Sequence, residues 1–333
     1  MRYWWVNQNQ TFRHEIEGGY MWSPKRNKDG RRNPFYEFMR EVAPGDLVFS
    51  YCDTRIAAIG IVSGYCRESP KPIEFGSAGM NWSQIGWKVD VGWRLLKNTV
   101  RPKDHIARLQ GELGAQYAPL TQDGNGKQAV YLTMVRPSLA SLLFALIGAA
   151  AAQVSDTARQ VSAAERVTPA LEKDLEEWEG RVEVAIAQDT KITDTDRQAL
   201  ILARRGQGQF RIKVRQVERA CRITKVDRLE HLVASHVQPW RDSTHEQRLD
   251  GENGLLLTPT VDHLFDKGFI SFEDGGRLIV SPVADRASLE RMGVSCSGAV
   301  NVGGFSEGQR RYLEFHRENV LRMARVNTLA GSL

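Results

Sequence analysis

Cysteine is scarce in this sequence: four among 333 residues, at Cys52, Cys66, Cys221 and Cys296. None has a near neighbour of its kind, which excludes zinc knuckles built from closely paired thiols. Free thiols and the lack of a signal peptide predict a cytoplasmic protein. Long apolar runs are also missing. The best candidate, Leu139 to Ala152, is short and contains Ser141 and Gly148. It cannot span a bilayer, so it predicts a buried or interface helix and no membrane partner. Internal repeats and low-complexity tracts are absent. So is a strong charge of one sign: the formal net charge is +5. With 41% hydrophobic residues the chain is globular, not disordered. Its length leaves room for two domains.

The small positive charge is unevenly placed. Residues 1–137 hold 19 Lys+Arg and 13 Asp+Glu, a net of +6, and the remainder holds 26 and 27, a net of −1. The first part is therefore expected to face a polyanion. It reads as mixed α/β with short strands at Tyr3–Val6, Leu47–Tyr51, Ile56–Val62, Gly86–Leu95 and Ala129–Val135. A short helix is expected over Asn33–Glu41, with Asn33 as cap and Pro34 first. Strands at this density predict a compact β-barrel with small helices. Residues 138–195 change character. Leu171, Leu175, Trp178, Val182 and Ile186 recur at helical spacing and predict a helical connector.

Six of the eight tryptophans precede residue 94: Trp4, Trp5, Trp22, Trp82, Trp87 and Trp93. Strand alternation buries several of them. Trp22 and Trp82 stand in polar, Gly/Ser-rich surroundings, as in a loop at a pocket mouth. Directly after Trp22 comes Lys25-Arg26-Asn27-Lys28-Asp29-Gly30-Arg31-Arg32. Its five cations, Lys25, Arg26, Lys28, Arg31 and Arg32, are candidates for phosphate contacts. The alternative is a solvated hairpin tip.

The richest chemistry lies between Cys221 and Asp266. Leu229–Val237 reads as a strand ending at Pro239, and a charged loop follows. Asn253-Gly254 opens a second apolar run, and Thr258-Pro259 reads as the cap and first turn of a helix. His236 near the first strand end can take a proton from water beside a phosphodiester. Asn253 can hold that imidazole in one tautomer. Asp262 and Asp266 are four apart and share a helix face; the family resemblance given below makes Asp262 the favoured metal ligand, with Asp266 supporting it. His263 points elsewhere and remains the alternative. Carboxylate ligation suits Mg²⁺ or Mn²⁺.

The order His236, Asn253, Asp262-His263 resembles the ββα-metal site of HNH nucleases. The resemblance extends over residues 196–325, through Arg205–Arg211, Lys267–Phe272 and Tyr312–Arg317. It implies His236 as general base, and it puts Ser235 where many relatives have a second metal ligand. Positions 1–137 resemble the EVE domain of the PUA-like superfamily. The matching pieces are Tyr3–Asn7, Gly18–Trp22, Pro44–Tyr51 and Ile59–Val62. That resemblance implies a flipped modified base held on Trp22 and Trp82, its edge read by Asn7, Ser50 and Tyr51.

The expected fold is thus α+β. An EVE/PUA-like reader spans 1–137, a helical linker 138–195 and an HNH domain 196–333. Together the two resemblances imply a modification-dependent restriction endonuclease. Its partner would be double-stranded DNA with 5-methylcytosine or 5-hydroxymethylcytosine. Two protomers, or two binding events, would be needed for a double-strand break. Two other readings stay open: a non-catalytic nucleic-acid-binding protein with a degenerate HNH fold, and an HNH nuclease acting on modified RNA.

Overall fold

The computed structural model describes residues 1–76, 78–79, 82–113, 116–127, 129–164, 208–296 and 300–323. The chain divides into two compact units, one within Met1–Arg166 and the other within Val167–Cys296 and Val300–Arg322. Each has its own apolar core.

The first unit is a seven-stranded sheet. Its strands are β1 (Tyr3–Asn7), β2 (Tyr20–Pro24), β3 (Leu47–Cys52), β4 (Arg55–Val62), β5 (Arg67–Pro70), β6 (Ile85–Val100) and β7 (Leu132–Val135). The order is β2-β6-β4-β3-β1-β7, with β5 also on β6. Only β1 and β3 run parallel. Strand β6 is 16 residues long and serves β2 and β5 with its first half and β4 with its second. A strand shared in this way, with register shifts at Ser50/Tyr51 and Ile56/Ala58, curls the sheet. The two ends of the path meet through a side chain: the Trp22 amide donates to the Tyr131 hydroxyl at 2.9 Å. The expected barrel-like α+β architecture is therefore present.

Alternation along β1 sends Trp5 to one core and Trp4 and Val6 to the other. The Gly45-Asp46 turn locks β1 in place. Gly45 takes φ 80°, open to glycine at no steric cost. The buried Asp46 carboxylate accepts from the Arg2 amide at 2.7 Å, Trp4 Nε1 at 3.0 Å and the Ala43 amide at 3.1 Å. Helix α1 (Phe12–Gly18) precedes β2. Helix α2 (Pro34–Glu37) starts as expected, with Asn33 Oδ1 accepting from the Phe35 amide, and continues as a 3-10 turn to Glu41.

The apolar run at 139–152 forms parts of two helices, α3 (Pro137–Ile147) and α4 (Ala149–Ala164), broken at Gly148. Leu139, Ala140 and Leu143 are buried in the first core. No described helix is long and apolar enough to cross a membrane. The expected helix through Leu171 and Ile186, and the Arg205–Gln207 lead-in, lie outside the described residues.

In the second unit, helix α5 (Gly208–Val217) packs on a two-stranded sheet of β8 (Val233–His236) and β9 (Gly254–Leu257). Helix α6 (Pro259–Asp266) follows, giving the expected strand, loop, strand, helix order. The hairpin β10 (Ile270–Phe272) and β11 (Leu278–Val280) and helix α7 (Glu307–Asn319) complete the unit. Strand β8 is shorter than expected, because Leu229–His231 forms a 3-10 turn.

Candidate functional site

His236 ends β8, opposite Gly254 of β9. Its half-buried imidazole lies flat on the Phe210 ring of α5, with centroids 3.8 Å apart and planes 2° apart. Its Nε2 is 2.9 Å from the Arg248 carbonyl oxygen. A carbonyl only accepts, so Nε2 carries the proton and Nδ1 carries the lone pair. Loss of water pushes the imidazole down to about 4, aided by the Arg248 charge and opposed by the Arg248 backbone bond. The ring is therefore neutral at pH 7 and can receive a proton at Nδ1.

Asn253 is fully buried, but it does not touch the imidazole. Its Oδ1 accepts from the Gln238 amide at 2.8 Å, and its Nδ2 donates to the Gln247 carbonyl at 3.0 Å. It thus clamps both ends of the loop between β8 and β9. The expectation that Asn253 grips His236 is corrected accordingly. Its influence runs through Gln247 to Arg248, whose carbonyl holds the ring. Arg248 is itself fixed, with Nε donating to the Trp240 carbonyl at 2.9 Å and the guanidinium 3.9 Å over the Trp240 ring.

Asp262 sits in the first turn of α6, half-buried, with Ser235 close enough to influence its carboxylate. Burial raises its pKa and the neighbouring Asp266 adds to this, while Ser235 and His263 oppose it. Ser235 is thus a neighbour of that carboxylate. His263 and Asp266 are exposed on the same helix, and Asp266 lies 3.9 Å from Lys267 Nζ. No group of three or more His, Cys, Asp or Glu side chains able to hold a metal occurs among the described residues. The donor set that is present, two carboxylates one helical turn apart with one partly desolvated, fits a hard divalent cation. Such a cation takes one or two carboxylates and completes its shell with water and phosphate oxygens.

Three residues of this site escaped the sequence reading: Phe210, Arg248 and Gly254. Gly254 carried a signal in its position after Asn253, and Phe210 lay within the Arg205–Arg211 stretch. A Cβ there would lie 2.2 Å from Val214 Cγ2 and 3.0 Å from Phe210 Cζ. Glycine is what lets α5 approach β9 closely enough to stack Phe210 on His236.

In the first unit the structure brings Trp22 and Trp82 together. Their centroids are 6.1 Å apart and the planes differ by 28°. Phe75, which the sequence reading missed, meets both edge-on at 5.8 and 6.3 Å. Trp22 is not in a loop, as its polar neighbours had indicated, but in β2, with only 1% of its surface exposed. Ser50 is also buried. It donates to Gln8 Oε1 at 2.5 Å, Gln8 Nε2 donates to Glu15, and the Tyr131 hydroxyl donates to Glu15 Oε2 at 2.9 Å. Since the Trp22 amide donates to that same hydroxyl, Ser50 is linked to Trp22 by a buried chain of hydrogen bonds.

Asn7 and Tyr51 belong elsewhere. Asn7 donates to the Lys127 and Val130 carbonyls at 3.0 and 2.9 Å and accepts from Trp5 Nε1 at 2.8 Å. Tyr51 packs on Trp5 at 5.0 Å, and its hydroxyl accepts from the Gly126 amide at 3.2 Å. Both brace the segment before β7. In the basic hairpin, Arg26, Lys28 and Arg31 are exposed. Lys25 pairs with Glu68, and Arg32 Nη2 lies 2.8 Å from Glu37. These two therefore hold the hairpin to its own unit.

Among solved structures, the chain is similar to a protein from Pseudomonas syringae at 18% identity, covering 44% of this chain and 99% of that one, with a TM-score of 0.29. It is similar to human THYN1 protein in complex with 5-methylcytosine-containing DNA at 13% identity, covering 44% and 98%, with a TM-score of 0.29. It is also similar to the YTH domain of Zygosaccharomyces rouxii MRB1 protein in complex with N6-methyladenosine RNA at 14% identity, covering 44% and 86%, with a TM-score of 0.27. Among curated proteins nothing matches. The HNH endonuclease family model matches residues 221–273. It is within this span, similar to HNH endonucleases, that His236, Asn253, Asp262 and Asp266 are brought into one ββα unit.

Proposed function

We propose that this protein is a modification-dependent DNA endonuclease that hydrolyses a phosphodiester in DNA carrying modified cytosine. One observation carries the nuclease half: the His236 imidazole, its Nε2–H fixed on the Arg248 carbonyl and its ring stacked on Phe210, in the same ββα unit as Asp262. His236 Nδ1 takes the proton of a water that attacks phosphorus, the P–O3′ bond breaks, and the 3′ oxygen leaves. A divalent cation bound at Asp262 and Asp266, Mg²⁺ or Mn²⁺ by the hardness of these donors, supplies charge neutralisation at the phosphate. The modified-cytosine half rests on the resemblance of the N-terminal unit to the EVE domain and on the Trp22–Phe75–Trp82 cluster.

Nicking of supercoiled plasmid, with and without cytosine methylation, tests both halves. Wild-type protein should nick the methylated plasmid only when a divalent cation is added. His236→Ala should lose about 10²–10⁴-fold in rate and keep its DNA affinity. Equal cutting of both plasmids would remove the modification dependence, and unchanged cutting by His236→Ala would remove the site assignment. A second reading, a nucleic-acid-binding protein with a degenerate HNH fold, is favoured by the lack of a three-ligand metal group among the described residues. It expects no nicking in any divalent metal together with intact binding of methylated duplex. A nuclease for modified RNA would instead show RNA outcompeting methylated duplex.

A further inference from the structure

The loop from β5 to β6 turns two aromatic side chains inward and one aliphatic side chain outward. Phe75 and Trp82 pack on Trp22, whereas Ile73 is 95% exposed, more than any other large hydrophobic residue among those described. The loop is braced at this point. The Lys71 amide donates to the Gln84 carbonyl at 2.8 Å, and the Phe75 amide to the Pro72 carbonyl at 3.2 Å. The Gly76 amide donates to the Ile73 carbonyl at 3.0 Å, with Gly76 at φ 51°. The Tyr20 hydroxyl donates to Glu74 Oε1 at 2.7 Å. Proline flanks the turn at 70 and 72, and Pro70 lies in register with Ile85, itself 45% exposed. Ile73 is thus a rigid apolar point kept in water, where isoleucine seldom resides.

Its surroundings select a partner. Two lysines and one carboxylate flank the aromatic cluster: Lys71, with Nζ on the Gly79 carbonyl at 3.1 Å, Lys88, with Nζ 4.2 Å over the Tyr20 ring, and Glu74 on the Tyr20 hydroxyl. Two exposed isoleucines are too little for a protein-docking patch, which spans several hundred Å². A rigid aliphatic point on the loop that carries Phe75 and Trp82 suits a partner that is apolar within, which is a stacked DNA duplex. Proteins that enter a base stack do so with aliphatic wedges of this kind.

We propose that Ile73 is a wedge that fills the base stack when a nucleotide is drawn out toward Trp22 and Trp82. This rests on the reading of the first unit as a reader of a flipped modified base. The wedge replaces stacking lost by the bases around the gap.

The test uses the full chain and three DNAs, two of them with 5-methylcytosine. One is fully paired, one has the methylated base opposite an abasic site, and one is the unmethylated control. A 2-aminopurine beside the target reports unstacking. Ile73→Ala should weaken binding to the paired duplex about tenfold and blunt the fluorescence rise. It should bind the abasic duplex, whose target is already loose, within about twofold of wild type. Ile73→Phe should restore the paired duplex. If Ile73→Ala weakens both methylated duplexes alike, weakens neither, or changes the oligomeric state without changing the fluorescence, Ile73 is no wedge. If wild-type protein fails to separate methylated from unmethylated duplex, the reader assignment falls first and the wedge falls with it.

Discussion

Glu15 is a fully buried carboxyl beneath β2, and burial pushes it from 4.5 up to about 7, despite hydrogen bonds from Gln8 and Tyr131. The folded protein therefore keeps a proton that the unfolded chain has lost between these two values. The resulting stability is fully present below pH 4.5 and is lost as pH rises through about 7, an effect of ~3 kcal/mol. Thermal melts of the first unit should show a falling midpoint from pH 4.5 to 8. Glu15→Gln, neutral throughout, should flatten that slope. A wild-type midpoint that stays level would mean that Glu15 ionises freely. None of this was visible in the sequence, where Glu15 is one acidic residue among forty.

At the level of elements, the approach of α5 to β9 decides where Phe210 lies, and Gly254 decides that approach. Gly254→Ala puts a methyl against Val214 and Phe210. Overpacking of this kind typically costs about 1–3 kcal/mol. The second unit should unfold earlier, and cleavage at temperatures where it is still folded should slow with little change in KM. A variant that melts early yet cuts at the wild-type rate would show that the Phe210 stack is dispensable for orienting His236. The ββα order was legible because its signals are local: Pro239 after a strand, Asn253-Gly254 before one, and Thr258-Pro259 at a helix start. Strand β2 was not. All five of its residues are buried, so no polar alternation marks it. Gly19 before it reads as loop but is the left-handed cap of α1 at φ 69°. The partners of Asn7 and Tyr51 were hidden for a related reason. Their partners, Lys127, Val130 and Gly126, lie far along the chain, and no local pattern announces them.

On the scale of the whole molecule, the charge asymmetry between the two parts of the chain leads to a measurable prediction. The positive excess of residues 1–137 does not act through every cation of the basic hairpin, since Lys25 and Arg32 already face Glu68 and Glu37. Lys28 and Arg31 project from its tip, Arg31 with the exposed Asp29 at 3.5 Å. Replacing both with alanine should weaken methylated and plain duplex alike and reduce the salt slope of binding by about 2. Preference for the methylated duplex should survive. Trp82 provides the contrast. It is half-buried beside the fully buried Trp22, so its removal leaves the core packing of β2 largely intact. Trp82→Ala should cost about 1–3 kcal/mol in binding methylated duplex while leaving plain duplex and the salt slope unchanged. Binding constants for both duplexes at two salt concentrations separate these outcomes. Should Trp82→Ala lower both affinities equally, the tryptophan is a generic stacking surface, and discrimination between the bases arises in the buried chain from Ser50 through Glu15 to Tyr131.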